Sequence, residues 1–285
     1  MKIKFIIDSA SDIEIDEADK LDIDLIPMEV RFSDEETYLD GINLSHKAFF
    51  EKLIECDDLP TTSQINPYNF EEKFAKYTKE GYEVIAITLT SKLSGTYQNA
   101  LIAASNFENK VYVVDSLNAC VGERLLLLHG LELAKNGMDA KSIAAELDRV
   151  KHNIRLLALL DTLEYLKKGG RISSMAAMAG TLFSIKPVIG IIDGEVKVIG
   201  KAMGSRKGNN LLRTLTEKCE IDFSMPYGVV YSGLDDTVLN KYIKDSESIW
   251  KDKVTTIPSY LIGSTIGTHI GPGGIGVAFF EKEKK

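Results

Sequence analysis

Residues 84–104 read VIAITLTSKLSGTYQNALIAA: an apolar run, a knot of serines, threonine and glycine, then a second apolar run. The first run is short and continuous rather than alternating, the pattern of a strand covered on both faces. The second has the composition of a helix, and Ser94 before Gly95 stands at or near its N-cap. A strand that enters a helix through a tight polar loop is the repeating unit of a parallel sheet. Small hydroxyl residues at that junction admit three readings: a helix cap, a nucleophile, or a cradle for an anion.

The same alternation extends outward in both directions. KIKFIID (2–8) is a strand that breaks on Asp8, and DLIPMEVRF (24–32) is another. HKAFFEKLIE (46–55) is helical with Ser45 placed to cap it, and Asn66 and Pro67 open a helix that Gly81 stops. KVYVVDS (110–116) is a strand, followed by helices in CVGERLLLLHGLELAKNG and KSIAAELDRVKHN. Beyond about residue 153 the texture changes. MAAMAGTLF (175–183) is a helix of small residues, and Asp193-Gly194 between two apolar runs predicts a primed-turn hairpin. The end gives a strand, a Gly-punctuated helix, a glycine loop and a closing strand. The predicted fold class is α/β, with residues 1–153 a three-layer α/β/α domain on a parallel sheet. Residues 154–285 are an α+β domain with a mixed or antiparallel sheet.

Composition excludes several functions. With 34 Lys and Arg against 42 Asp and Glu, the net charge of −8 speaks against unaided binding to nucleic acid. Cys56, Cys120 and Cys219 are odd in number and lack any CxxC spacing, so they read as buried structural thiols. The apolar run at the N-terminus is too short for a secretion signal, and no stretch approaches the roughly 20 residues that span a bilayer. A cytoplasmic protein without stable membrane insertion is expected. The acidic run 12–24 reads as a solvated face.

Motifs that would name a common enzyme are missing. There is no P-loop, and GPGGIG (271–276) precedes a strand instead of following one, which argues against a dinucleotide loop. Four histidines, none at ligand spacing, argue against a metal site. KLSGT lacks the glycine that a nucleophile elbow needs two residues before its serine. What remains are the hydroxyl loops. Ser94 lies at exposed helix N–H groups and Gly95 permits close approach. Thr61-Thr62-Ser63-Gln64 lies before another helix at the edge of the same sheet. Such loops converge on one crevice in an open α/β sheet, where they make a neutral, donor-rich cradle for a carboxylate or phosphate. His269, flanked by glycines, is either an exposed turn residue or a donor to the same anion.

TTSQ (61–64), LSGTYQNA (93–100), VVDS (113–116), LEYLKKGGRIS (163–173) and GTHIGPGGIGVAFF (267–280) occur in order over nearly the whole chain. Together they resemble the DegV family, whose members are the fatty-acid-binding subunits of a bacterial fatty acid kinase. The resemblance implies one long-chain fatty acid with a buried tail, and a carboxylate held by Thr62, Ser94 and His269 with the Gly95 N–H. It implies a non-catalytic protein without a cofactor, which presents its ligand to a separate ATP-dependent kinase subunit for acyl-phosphate formation in phospholipid metabolism. Ala176, Ala177, Ala179 and Gly180, with Ile262, Gly263 and Ile266, are candidates to line the tail pocket. Burying a palmitate-length tail contributes about 11 kcal/mol gross, so the head group mainly fixes orientation.

Two departures stand out. Relatives commonly read TSQPS, whereas here the proline is displaced to Pro67. Met203 stands where relatives commonly carry an arginine that helps dock the kinase, while Lys201, Arg206 and Lys207 keep that patch basic. The rival reading is a serine acyl hydrolase with Ser94 as nucleophile, His269 as base and Asp8 or Asp115 as orienter.

Overall fold

The computed structural model describes residues 2–172 and 185–283. In chain order the elements are β1 (Lys2–Asp8), α1 (Ile15–Lys20), β2 (Asp24–Ile26), β3 (Glu29–Ser33), β4 (Glu36–Leu39), α2 (His46–Glu55), β5 (Thr61–Ser63), α3 (Pro67–Lys79), β6 (Tyr82–Thr88), α4 (Thr96–Ala104), β7 (Val111–Asp115), α5 (Cys120–Lys135) and α6 (Ala140–Val150). There follow β8 (Ile154–Leu159), α7 (Glu164–Lys168), β9 (Ile185–Ile192), β10 (Glu195–Met203), α8 (Ser205–Glu217), β11 (Tyr227–Tyr231), α9 (Thr237–Asp245), α10 (Glu247–Trp250), β12 (Ser259–Leu261), α11 (Ser264–Ile270) and β13 (Ile275–Phe280). The fold is α/β with two larger sheets. One is parallel, in the order β2-β1-β6-β7, and the other is mixed, in the order β10-β9-β8-β13-β11-β12.

Local chemistry sets these boundaries. Ser45, Asn66 and Asp139 each cap a helix by accepting a backbone N–H, and Pro67 sits in the first turn of α3 where its missing donor costs nothing. Asp193 and Gly194 both have positive φ, 53° and 81°, the primed turn that joins β9 to β10. The single strand expected over 24–32 is two. Pro27 has no N–H to give a ladder, and the chain leaves the parallel sheet there. It then enters a small antiparallel sheet of order β4-β3-β5. The glycine-rich setting expected for His269 is helical instead, because His269 lies in the last turn of α11. The expected helix 175–183, with Ala176, Ala177, Ala179 and Gly180, lies outside the described residues.

The two larger sheets share one core. Phe5 and Ile85 of the parallel sheet belong to the same buried cluster as Leu156, Ile191 and Phe280 of the mixed sheet. Helix α5 fills the space between, packing on β1, β6, β8, β11 and β13. That explains its LLLL run: Leu125, Leu126 and Leu127 are each 0% exposed, as expected of a helix covered all round. Along β8 the period of two divides the faces. Leu157 and Leu159 join a second cluster with Leu212, Tyr242 and Trp250, while Leu156 belongs to the shared core.

Two expectations from composition are corrected. Of the three free cysteines only Cys120 is buried, while Cys56 and Cys219 are partly exposed, each on or beside an exposed helix end. The acidic run is a solvated face only from Glu14 to Asp22, broken by the buried Ala18. Asp12 is 2% exposed and accepts the Gly263 N–H at 2.8 Å, yet burial still outweighs its donors and pushes its carboxyl up to about 6.

Helix α11 packs on α2 through Gly267, where an added Cβ would lie 2.5 Å from Phe49 Cε1 and 3.0 Å from Phe50 Cζ. Both rings are fully buried and have nowhere to turn. Gly267→Ala is expected to destabilise the protein by about 1–3 kcal/mol through overpacking, read as a lower urea midpoint at unchanged m-value.

Candidate functional site

Each polar residue reaches the site from a different element. Thr62 lies in the middle of β5, facing Val30 of β3 in the antiparallel register, and not in a loop as the sequence suggests. A three-residue edge strand carries too little periodicity to be read from sequence. Helix α4 holds this strand's exit in place: Thr96 Oγ1 accepts the Ile65 N–H at 3.2 Å, and Asn99 Nδ2 donates to the Ile65 carbonyl at 2.7 Å. Ser94 Oγ lies 2.9 Å from that same Thr96 hydroxyl and accepts the Thr96 N–H at 3.3 Å. Gly95, not Ser94, takes the cap position of α4. A Cβ there would meet the Gln64 side-chain amide, its Oε1 at 2.0 Å, so the glycine leaves room for Gln64 in its present position.

His269 comes from the other half of the chain. Its Nε2 lies 2.9 Å from Thr62 Oγ1, a contact across 207 residues of sequence. Nδ1 is buried and has no partner among the described residues. Burial, and then the positive charge of Arg171, push this imidazole down to about 4, so the ring is neutral at physiological pH. Helix α11 is fixed in turn by Asp40, which is 0% exposed. Its carboxylate accepts the Ser264 N–H and hydroxyl and, at 3.1 Å, the Thr265 N–H.

Thr62, Ser94 and His269 all line one cavity, as do Ile262 and Ile266. Part of its wall is the inner face of the mixed sheet. Ala158 pairs with Gly276 on one side and Ile189 on the other, and Val230 pairs with Gly276, so small residues lie in a trough between branched ones. The cavity has about 90 Å³ of room for the centres of water molecules, against ~10–15 Å³ for one water. Its apolar walls give such waters few partners, and a cavity of that kind takes an apolar guest. The sequence reading missed Arg171, which also lines it. Its guanidinium donates to the carbonyls of Leu93 at 3.3 Å and Gly169 at 2.7 Å, so the cradle carries a cation and is not neutral as expected. The only signal was its place in the quoted string 163–173.

A Ser-His-Asp relay does not assemble. Asp8 accepts the N–H groups of Ala10 and Leu89, and Asp115 those of Ser91 and Leu117. Both carboxylates are thus committed to backbone turns, and His269 contacts Thr62 instead of an acid. Among the described residues no cluster of His, Cys, Asp or Glu is suited to hold a metal ion. Lys201, Arg206 and Lys207 are exposed on β10 and α8, outside the cavity, and Met203 between them is 66% exposed.

Fold and cavity define an α/β protein with an apolar pocket that bears hydroxyl, imidazole and guanidinium groups on its wall. Residues 2–282 match the family model described as "Uncharacterised protein, DegV family", and the chain belongs to the DegV family. It is 33% identical over 284 residues to a DegV domain-containing protein of Caldanaerobacter subterraneus, covering 99% of each chain. It is 31% identical over 298 residues to the fatty acid-binding protein of Thermotoga maritima, covering 100% of each. Among solved structures, a DegV family protein of Thermus thermophilus described by its fatty acid binding superposes with a TM-score of 0.86 at 29% identity, covering 99% of this chain and 100% of that one. A stearic-acid-binding protein of Eubacterium ventriosum gives a TM-score of 0.86 at 25% identity, with 99% of both chains covered.

The neutral His269 has a measurable consequence. Its folded value near 4 lies below the ordinary 6.5, so the folded state binds fewer protons than the unfolded chain between those values. Stability from this group is therefore complete above pH 6.5 and lost as pH falls towards 4. Imidazole NMR is expected to show His269 titrating near pH 4. The fall in melting temperature over that window is expected to be smaller in His269→Gln.

Proposed function

We propose that this chain binds one long-chain fatty acid, its tail in the apolar cavity and its carboxylate on Thr62, Ser94, His269 and the Gly95 N–H. The observation that carries this reading is the meeting of Thr62, Ser94 and His269, from three separate elements, at one apolar cavity. Donors of this kind hold a carboxylate without covering it with a bulky counter-ion, and Arg171 adds a favourable charge nearby. A chain of methylenes supplies most of the affinity at ~0.8 kcal/mol per buried group. The names of the Thermotoga and Thermus relatives support the ligand class.

In this reading residues 1–153 bring the hydroxyl groups and residues 154–285 complete the pocket for the acyl chain. The protein is a non-catalytic, cytoplasmic carrier that needs no cofactor and presents the acid to an ATP-dependent kinase subunit. Lys201, Arg206 and Lys207 form the docking patch, with Met203 in place of an arginine. No helix among the described residues is long and apolar enough to cross a membrane, which suits a carrier that collects its ligand without inserting stably.

Native mass spectrometry of the purified protein is expected to show one bound fatty acid per chain. Thr62→Ala with Ser94→Ala is expected to keep the fold by circular dichroism and to weaken fatty-acid binding about tenfold or more, since two donors to a charged group are lost. Unchanged affinity in the double variant removes the head-group site. A burst of product from a chromogenic acyl ester, abolished in Ser94→Ala, overturns the carrier reading in favour of a hydrolase.

A further inference from the structure

Strands β8 and β9 pair through Leu157 with Gly190, Ala158 with Ile189 and Leu159 with Val188, and at that end the Leu160 N–H also donates to the Pro187 carbonyl. Continuing that register would set Leu156 against Ile191 and Arg155 against Ile192, and neither pair forms. Both strands nevertheless run on with their other neighbours, β8 with β13 down to Ile154 and β9 with β10 out to Ile192. A wedge therefore opens between them inside an otherwise continuous sheet.

The wedge stands between two cavities. Leu156, Gly190 and Ile191 line the apolar cavity and also a second chamber, whose remaining wall includes Leu117, Ile154, Ile192 and Ile199 with Lys151 and His152 at its polar side. The partition consists of two side chains and a glycine backbone. The second chamber is the larger, about 380 Å³ by the same measure.

We propose that the wedge between β8 and β9 is a second portal of the acyl cavity, through which the methyl end of a long chain passes into the chamber beside Ile192 and Ile199. The inference rests on the fatty-acid reading above and adds to it a second exit for the tails of acids of palmitate length and beyond. The exposed His152 at its rim lets the chamber meet water, so the site does not impose a sharp upper limit on length.

The test is the affinity of a saturated series from myristate through palmitate and stearate to behenate. Wild-type protein is expected to bind behenate within about tenfold of palmitate. Ile192→Trp, at a position 42% exposed that lines only the second chamber, is expected to lose behenate about tenfold while myristate stays within twofold. A behenate affinity in the wild type far below that range, or an identical length profile in Ile192→Trp, overturns the portal. Should that variant fail to fold, a nitroxide carried near the methyl end of bound stearate decides in wild-type protein. Broadening of the Lys151 and His152 amide signals supports the portal and sharp signals overturn it. Binding of no acid at any length is instead the failure of the fatty-acid reading itself.

Discussion

A buried carboxylate that keeps its charge needs donors, and this constraint ties Asp40 in the parallel half of the chain to the start of α11. Asp40 takes three donors from Ser264 and Thr265, and Asp12 takes the N–H of Gly263. Both acids belong to the first fifth of the chain, and these donors belong to its last tenth. The start of α11 is thereby fixed to the parallel sheet's side of the molecule. One helix later that fixation delivers His269 to Thr62. Without it the imidazole would have no reason to be neutral, because burial is what strips its proton.

The cavity is the other side of the same construction. A helix that packed directly on the inner face of the mixed sheet would close it. Instead Ala158 and Gly276 keep the centre of that face shallow, and α11 crosses near it with Ile262, Ile266 and Ile270 turned inward. Polar groups gather where β5, the α4 entry and α11 meet. The result is a single space with a chemically distinct end, built from residues of every layer.

Much of this was legible in the chain itself. The parallel strands, the Asp193-Gly194 hairpin and the capped helices follow from short-range rules, and β1 was bounded to the residue. Thr62, Ser94 and His269 were legible as candidates because hydroxyls and a glycine-flanked histidine are poor packing material. What escaped depends on partners distant in sequence. Thr61–Ser63 is a strand only because β3 is beside it. Gly267 marks a close helix crossing, and looks in sequence like a turn. Arg171 satisfies its guanidinium on main-chain carbonyls, which leave no trace in the pattern of charges. Asp12 looked solvated because it heads an acidic run, and its Gly263 donor lies 251 residues away.

The shared core bears on how a guest enters and leaves. Phe5, Leu126, Leu156, Ile191 and Phe280 form one apolar mass that runs without a seam from one sheet to the other. Opening such a protein like a pair of jaws would expose that whole mass to water, at a cost comparable to unfolding it. Traffic through the pocket is therefore a matter of small local yielding, in a side chain, a strand margin or a single turn. The scaffold around the pocket keeps its apolar mass covered throughout.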